Sequence, residues 1–214
     1  MNLINLIESL SLKEVIGSPE VDIQGIAYDS RRVRKGFLFI ALRGQNQDGH
    51  SFVQEATERG ASAILLERPI GGMQNVTQVV VSDAREAMAT VSSTFYGKPS
   101  ERLTLIGVTG TNGKTTITYL IESILREAGY KVGIIGTINY RYPGYVLLAN
   151  HTTPEAPDVQ RILGDMVNNG ITHCGMEVSS HALSQMRVDG CRFAGAVFTN
   201  LTQDHLEYHR TMED

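Results

Sequence analysis

The sequence predicts an α/β protein in which a small N-terminal α/β domain is followed by an incomplete, mostly parallel sheet. Strand-like apolar segments alternate with helix-like segments along the chain, which is the pattern of parallel strands joined by right-handed crossovers. The segment 96–101 contains both Gly and Pro, which interrupt regular structure. We therefore place a boundary there, between domains 1–100 and 101–214.

In the first half, helix and strand signals alternate after a short amphipathic start. Gly60 ends one predicted helix, and Asp83 can cap the other. The predicted strands are 23–28, 37–42, 63–66 and 76–81, and the predicted helices are 51–59 and 84–95. A charged, turn-prone segment, 29–36, connects the first two strands.

The second half has stronger signals. The predicted strands are 103–108, 131–135, 172–178 and 194–199. Helical spacing of apolar residues follows a glycine-rich loop and ends at Gly129, and a second helix is predicted at 158–168. Doubly wound sheets usually have about five or six strands. Since the chain stops at 212–214 in a helix-like stretch with no stop signal, we expect a truncated domain.

Composition excludes several classes of function. The formal charge of −4 provides no basic field for nucleic acid. No apolar run approaches the roughly 20 residues that span a bilayer, so no membrane partner is expected. The two cysteines are too few for a disulfide framework, which favours a soluble cytoplasmic protein. We also expect a monomer.

The segment Gly110-Thr-Asn-Gly-Lys-Thr-Thr116 lies between a predicted strand and a predicted helix, as in proteins that bind nucleoside triphosphates. Lys114 is the expected catalytic cation at the β- and γ-phosphates, and the Thr115 hydroxyl is an expected Mg²⁺ ligand. The general G-x-x-x-x-G-K pattern requires glycine where this chain has Val108. A simple Gly-rich turn before a helix remains the alternative. The expected phosphate-binding residues are Gly110, Thr111, Asn112, Gly113, Lys114, Thr115 and Thr116.

Two further groups are candidates for metal binding. Glu177 ends a predicted strand at the edge of the sheet where ligands bind, and suits Mg²⁺; the alternative is an ion pair. His205 and His209 are spaced four apart and can share a helix face, so a zinc pair is one interpretation. Because no Cys or further His lies nearby at metal-site spacing, a surface role for this pair is favoured over zinc.

Several segments together resemble the Mur ligase family, and within it the UDP-N-acetylmuramoyl-tripeptide synthetases. They are the loop 107–116, His151-Thr-Thr-Pro154, Met176-Glu-Val-Ser-Ser-His181 with Gln185 and Arg187, and the segment 198–209. The loop alone also fits other Mur ligases and folylpolyglutamate synthetase. The resemblance covers essentially the whole chain.

The resemblance implies roles for individual residues. Residues 1–100 resemble a UDP-binding domain, in which Ser30 of the Asp-Ser-Arg turn would touch the UDP-sugar and 44–49 would form the next loop. Glu177 and His205 would hold metal with Thr115. The muramoyl-dipeptide end would contact Thr152, Thr153, Ser179, Gln185 and Arg187. Without the resemblance, two structural alternatives remain open: the Thr-Thr-Pro segment is only a turn, and Ser179-Ser180 is only a helix cap.

The resemblance also implies the reaction. ATP with Mg²⁺ would phosphorylate the D-glutamate side-chain carboxylate of UDP-MurNAc-L-Ala-D-Glu, and the amine of an incoming amino acid would displace phosphate. That amino acid is meso-diaminopimelate or L-lysine, and the sequence leaves this choice open. Members of the family also have a carbamylated lysine and a third domain, which do not lie in these 214 residues, so we expect no ligation by this chain alone. Another P-loop enzyme, such as a kinase, and a non-catalytic nucleotide-binding module remain alternatives.

Overall fold

The computed structural model describes residues 1–44, 47–73 and 75–211. The predicted loop 44–49 therefore lies partly outside the described residues, and the terminal segment 212–214 lies wholly outside them. The chain divides into two compact units, Met1–Gly97 and Lys98–Asp214. Among the described residues, no helix is both long and apolar enough to cross a lipid bilayer.

The first unit contains three α-helices and a five-stranded sheet in the order β1-β5-β4-β3-β2. Strands β2 to β5 pair in parallel, and β1 pairs antiparallel with β5. The strands are β1 (Leu12–Ile16), β2 (Gly25–Ala27), β3 (Phe37–Ile40), β4 (Ala61–Leu66) and β5 (Thr77–Val81), and the helices are α1 (Leu3–Ile7), α2 (Val53–Glu58) and α3 (Ala84–Phe95).

The predicted elements of this unit are present; the first and last residues of α3 match the prediction, and the other elements begin or end at different residues. The centre of the sheet is made of Val, Ile, Leu and Ala side chains in β4 and β5, which are almost wholly buried, as parallel strands covered on both faces require. The predicted helix at 51–59 begins only at Val53, because a 3-10 turn, Gly49–Phe52, precedes it. Strand β1 was not predicted, since it is an edge strand whose charged residues hide the alternation of apolar positions.

The second unit is a six-stranded sheet in the order β11-β6-β10-β7-β8-β9. Strands β11, β6, β10 and β7 are parallel, and β8 and β9 form an antiparallel hairpin beside β7. The strands are β6 (Thr104–Thr109), β7 (Val132–Ile135), β8 (Asn139–Tyr142), β9 (Tyr145–Leu148), β10 (His173–Glu177) and β11 (Gly195–Phe198), and the helices are α4 (Lys114–Glu127), α5 (Ala156–Asn168), α6 (Ser180–Ser184) and α7 (Leu206–His209).

The mostly parallel α/β class is confirmed, but the expectation of four strands in the second half is wrong. The two additional strands, β8 and β9, are joined by Pro143 and Gly144, a turn-forming pair. A two-strand antiparallel hairpin interrupts the strand–helix alternation on which the prediction relied. Since it lies at the edge beyond β7, the four parallel strands keep the expected arrangement.

The order of the parallel strands determines which loops meet. The carboxyl ends of neighbouring parallel strands lie at the same edge of a sheet, where ligands bind in open α/β folds. Glu177, at the end of β10, pairs in register with Val108 of β6, and the preceding residue Met176 pairs with Ile135 of β7. The segments following β6, β7, β10 and β11 therefore converge at this edge.

The cap of α3 can be tested in the first unit. The Asp83 carboxylate accepts hydrogen bonds from the backbone N–H groups of Arg85 (2.7 Å) and Glu86 (3.1 Å), and it begins a helix that was predicted at the observed residues. We expect Asp83→Ala to lower the free energy of unfolding of this unit by about 1 kcal/mol, because two helix donors lose their acceptor. Urea denaturation followed by circular dichroism measures this; Asp83→Asn, which keeps an acceptor oxygen, is the control. Equal stability of wild type and the Ala variant would contradict the capping role.

Candidate functional site

The glycine loop between β6 and α4 requires glycine at two positions. Gly110 has φ of +122° and Gly113 has φ of +85°, a region that residues with a side chain rarely adopt. A Cβ at Gly110 would also collide with Thr199 Oγ1 and lie 2.8 Å from the carbonyl oxygen of Asn200. The loop is therefore packed directly against the segment that follows β11.

Hydrogen bonds join the loop to that segment. The N–H groups of Thr111 and Asn112 donate to the carbonyl oxygen (2.9 Å) and to Oδ1 (3.0 Å) of Asn200. Thr199 Oγ1 in turn donates to the carbonyl oxygen of Asn112, at 2.7 Å. These contacts hold the loop curved while the first-turn N–H groups of α4, which have no carbonyl partner within the helix, remain directed at its N-terminus.

Lys114 lies inside the curve of this loop. Its Nζ donates to the carbonyl oxygens of Gly110 (2.6 Å) and Thr111 (2.8 Å), so the ammonium group is held beside the N-terminus of α4. Thr115 is half-buried on the same turn, and Thr116 is exposed. A fixed cation and a helix N-terminus at one place are the groups that favour the binding of an anionic phosphate group.

Glu177 lies behind the loop and is only 2% exposed. Its Oε2 accepts hydrogen bonds from Thr115 Oγ1 (2.8 Å) and Thr137 Oγ1 (3.0 Å), and its Oε1 accepts one from the Thr137 N–H (3.0 Å). Among the described residues, no Lys, Arg or His lies within ion-pair distance of this carboxylate. The alternative of a Glu177 ion pair is therefore not realised in the described part of the chain.

The residues around Glu177 fit Mg²⁺. A hydroxyl oxygen and a carboxylate oxygen lie 2.8 Å apart at the phosphate-binding loop, and oxygen is the ligand this ion prefers. Gly136 makes room for the carboxylate, since a Cβ there would collide with Glu177 Oε1 and lie 3.0 Å from its Cδ. Within the described ranges, no group of three or more His, Cys, Asp or Glu side chains is arranged around one metal position. Water and phosphate oxygens would have to complete the coordination.

Thr152 and Thr153 begin a second part of the site. Thr152 Oγ1 lies 3.1 Å from Thr137 Oγ1 and so is linked to the Glu177 carboxylate. Thr153 is 1% exposed; its hydroxyl donates to the Glu177 carbonyl oxygen (2.8 Å) and accepts from the Ser179 N–H (3.1 Å). The geometry thus gives Thr153 contacts within the protein, where it orients its neighbours.

Arg187 is the main cation of this second part. Its guanidinium donates to the Thr153 carbonyl oxygen (2.8 Å) and to Gln185 Oε1 (2.7 Å), and it forms an ion pair with Glu155 at 3.1 Å. Glu155 was not identified from the sequence, because an isolated Glu before a helix has no motif of its own. Ser179 Oγ accepts from the Ala182 N–H at 3.2 Å, as expected for a helix cap.

His205 lies in a cluster of rings, apart from Glu177. Its imidazole nitrogens lie 3.3 Å from a Glu207 oxygen and 3.6 Å from an Asp204 oxygen, and its ring packs against His181. None of the described contacts of His205 is with Thr115 or Glu177. Burial, together with His205 and His209, lowers the pKa of His181, because an imidazolium is disfavoured where solvent is excluded and cations are close.

The rest of the ring cluster connects α6 to α7. Tyr208 packs on His181 with ring centroids 4.2 Å apart, and its hydroxyl lies 3.2 Å from Gln185 Nε2. His209 Nε2 lies 2.9 Å from Ser180 Oγ. A cavity of about 370 Å³ lies between the phosphate-binding loop, Ser179 and Ser180, and the segment 201–211, and both Lys114 and His205 line it. His205 therefore faces the same cavity as Lys114 without touching the Thr115–Glu177 pair.

Ser30, the residue expected to contact a UDP-sugar, belongs to the first unit. It is 6% exposed, and its hydroxyl donates to Glu55 at 2.6 Å. That hydrogen bond, together with Arg59, holds the pKa of the Glu55 carboxyl below its ordinary value. Asp29 accepts from the Arg31 N–H at 3.0 Å and so shapes the Asp-Ser-Arg turn.

The strand–glycine loop–helix arrangement, with Lys114 in the loop and a buried carboxylate beside Thr115, defines a phosphate-binding α/β protein. Residues 108–214 match the family model of the Mur ligase middle domain, and residues 22–96 match that of the Mur ligase family, catalytic domain. The chain belongs to the Mur ligase family.

Individual relatives support this assignment. The chain is 48% identical over its full length to the UDP-N-acetylmuramoyl-L-alanyl-D-glutamate–2,6-diaminopimelate ligase of Caldanaerobacter subterraneus subsp. tengcongensis, of which it spans 44%. A solved structure of a ligase of the same name superposes over the full chain with a TM-score of 0.84 at 32% identity; the chain spans 42% of it. The MurF ligase of Thermotoga maritima in complex with ADP matches 88% of the chain, and 40% of that protein, with a TM-score of 0.61 at 26% identity. The chain spans less than half of each.

The role of Gly136 can be tested directly. Gly136→Ala introduces a methyl group where the Glu177 carboxylate lies, so the carboxylate must move away from Thr115. We expect weaker Mg²⁺-dependent nucleotide binding, by roughly tenfold, since a hydrogen bond to a charged group contributes about 1.5–3 kcal/mol. Gly195→Ala is the matched control, because a Cβ at Gly195 meets no atom within 4 Å. Isothermal titration with a non-hydrolysable ATP analogue measures both variants; equal affinities would contradict the assigned position of Glu177.

Proposed function

We propose that this chain contains the ATP-binding and UDP-precursor-binding parts of an ATP-dependent ligase that adds diaminopimelate to UDP-MurNAc-L-Ala-D-Glu. The observation that carries the proposal is the Lys114 ammonium group in the phosphate-binding loop, one residue from a threonine bonded to the buried Glu177 carboxylate. The names of the curated relatives support diaminopimelate as the added amino acid. The proposed substrates are small molecules, and the proposed setting is a cytoplasmic monomer.

The phosphate-binding half is proposed to act on ATP. The first-turn N–H groups of α4 and the Lys114 ammonium would bind the β- and γ-phosphates. Thr115 and Glu177 would hold Mg²⁺, with His205 facing the same cavity from α7. Bound Mg²⁺ would supply positive charge to the phosphate oxygens, and Lys114 would add its own charge, since phosphoryl transfer depends mainly on positioning and electrostatics.

The peptide half is proposed to bind the muramoyl dipeptide. Thr152 would present a hydroxyl and Arg187 a cation; Thr152 contacts Thr137, which is bonded to Glu177, and Arg187 contacts the neighbouring Thr153. Thr153, Ser179 and Gln185 would act mainly by orienting them, because their polar atoms already bond within the unit. Ser30, in the first unit, is proposed to lie at the UDP-sugar. Because the Ser30 hydroxyl donates its proton to Glu55, Ser30 would accept a hydrogen bond from the ligand.

The proposed reaction has two steps. A D-glutamate side-chain carboxylate oxygen bonds to the γ-phosphorus of ATP, and the bond to the departing ADP breaks. The amine nitrogen of diaminopimelate then bonds to the acyl carbon, phosphate leaves with the electrons of the broken C–O bond, and the nitrogen loses a proton. Because the chain spans less than half of its relatives, binding of both substrates without ligation is the behaviour proposed for these 214 residues alone.

The identity of the acceptor substrate can be tested by calorimetric titration. We expect the chain to bind UDP-MurNAc-L-Ala-D-Glu more tightly than UDP-MurNAc-L-Ala, since only the former has the glutamyl carboxylates that Arg187 can attract. A difference of about tenfold corresponds to one charge-assisted hydrogen bond. Equal affinity for the two would leave a UDP-sugar-binding module, and binding of neither would contradict the proposal.

The nucleotide site can be tested with Lys114→Ala. We expect affinity for a non-hydrolysable ATP analogue to fall by at least about tenfold, because the phosphates lose a charged donor. Lys131→Ala is the control, since Lys131 is an exposed lysine just before β7, at the opposite edge of the sheet from the loop. Circular dichroism should show an unchanged fold for both variants. Wild-type affinity in Lys114→Ala would remove Lys114 from the proposed site.

A further inference from the structure

Thr137 joins the two halves of the site, although no sequence pattern singles it out. It follows β7 and is exposed. Its N–H donates to Glu177 Oε1 (3.0 Å), and its hydroxyl lies 3.0 Å from Glu177 Oε2 and 3.1 Å from Thr152 Oγ1. Thr115 completes the chain of contacts on the other side of Glu177. A continuous hydrogen-bonded path thus runs from the phosphate-binding loop to the first threonine of the Thr-Thr-Pro segment.

The number of hydroxyl protons on this path limits which of its hydrogen bonds can form at the same time. A hydroxyl has one proton to donate, whereas an ionised carboxylate can only accept. The Thr137 hydroxyl is placed to donate to Glu177 Oε2 and to Thr152 Oγ1, but it has one proton, so the two acceptors compete for it. The ionised carboxylate is the stronger acceptor, so without a cation the proton goes to Glu177 and Thr152 receives no hydrogen bond from Thr137.

Occupation of the Thr115–Glu177 pair changes this arrangement. A cation at Glu177 competes for the carboxylate electron density that accepts the Thr137 hydrogen bond. As that bond weakens, the Thr137 proton turns to Thr152 Oγ1. A Thr152 hydroxyl that accepts this bond has its own proton directed to another acceptor, such as an oxygen of a ligand. The backbone N–H of Thr137 still donates to Glu177 Oε1, so the carboxylate stays in place while the hydroxyl proton turns.

We propose that Thr137 is a positioning residue through which occupation of the Thr115–Glu177 pair directs a hydrogen bond to Thr152, and so orients the Thr152 hydroxyl as a donor towards the muramoyl dipeptide. Thr137 touches neither the phosphate-binding loop nor Arg187 in the described contacts, and acts through Glu177 and Thr152. The consequence is thermodynamic coupling: nucleotide with Mg²⁺ increases the affinity for the dipeptide, whose acidic groups supply acceptor oxygens, and the dipeptide increases nucleotide affinity by the same factor. This inference rests on the proposed function.

The test is a linkage experiment on the 214-residue chain. UDP-MurNAc-L-Ala-D-Glu is titrated calorimetrically with and without saturating Mg²⁺ and a non-hydrolysable ATP analogue, and the readout is the ratio of the two affinities. We expect a ratio of about five or more in wild type, the lower end of typical coupling between sites. Thr137→Val, which keeps the branched shape and the backbone N–H, should lower the ratio to about one. Thr137→Ser, which keeps the hydroxyl, should restore it.

The matched control is Thr172→Val. Thr172 lies just before β10, and its hydroxyl contacts the Lys131 carbonyl oxygen and His173 at the opposite edge of the same sheet. A loss of packing alone would leave the ratio unchanged, because it lowers both affinities together, so the ratio separates coupling from a structural effect.

Each result has a definite meaning. A wild-type ratio in Thr137→Val, or no coupling in a wild-type chain that binds both ligands, would overturn this inference and leave the proposed function standing. Failure of Thr137→Ser to restore the ratio would also overturn it. A wild-type chain that binds neither ligand would overturn the proposed function, and the coupling with it.

Discussion

The buried carboxylate of Glu177 is the constraint on which the rest of the site depends. Removing a carboxylate from water is costly unless hydrogen bonds replace its hydration, and here neutral donors from two other segments do so. Those donors, Thr115 and Thr137, follow different strands. Their convergence requires that β6, β10 and β7 be adjacent and in the observed register. The order of the strands therefore determines which side chains surround this carboxylate at the edge formed by the carboxyl ends of the parallel strands.

The phosphate-binding loop depends in a similar way on distant residues. Its curvature is maintained by Thr199 and Asn200, about 90 positions further along the chain, which bond to the N–H and C=O groups of Thr111 and Asn112. Gly110 is essential to this contact because any side chain would occupy the space of Thr199. The outer strand β11 therefore does more than extend the sheet, since it delivers the residues that shape the loop. An anion bound by the loop would be held indirectly by β11 as well.

Prediction from the sequence was most accurate for elements whose signal lies within a few neighbouring residues. Helix α3 was predicted at its observed residues because a capping Asp precedes an amphipathic run, and the glycine loop was identified because Gly, Lys and Thr stand at short fixed spacings. Strand β1 and the hairpin β8–β9 were missed, since edge strands with mixed polarity resemble loops. Thr137, Glu155 and Asn200 were missed as contributors to the site. Thr137 and Glu155 stand in sequence without a motif, whereas Asn200 lies in the segment 198–209 but was given no role. All three gain their contacts in the site from segments that are far away along the chain.

The sequence by itself determined the α/β class, the phosphate-binding loop with its lysine, and the resemblance to a ligase family, because these depend on residue type and on spacings of a few positions. Only the tertiary structure decided which of the candidate ligands meet. In the folded chain, Thr115 contacts Glu177. His205 lies in a separate ring cluster that faces the same cavity as Lys114. The Thr153 hydroxyl forms its hydrogen bonds within the protein. The physical reason is that strand order and register bring distant segments together at one edge of the sheet, and a local pattern contains no information about that neighbourhood.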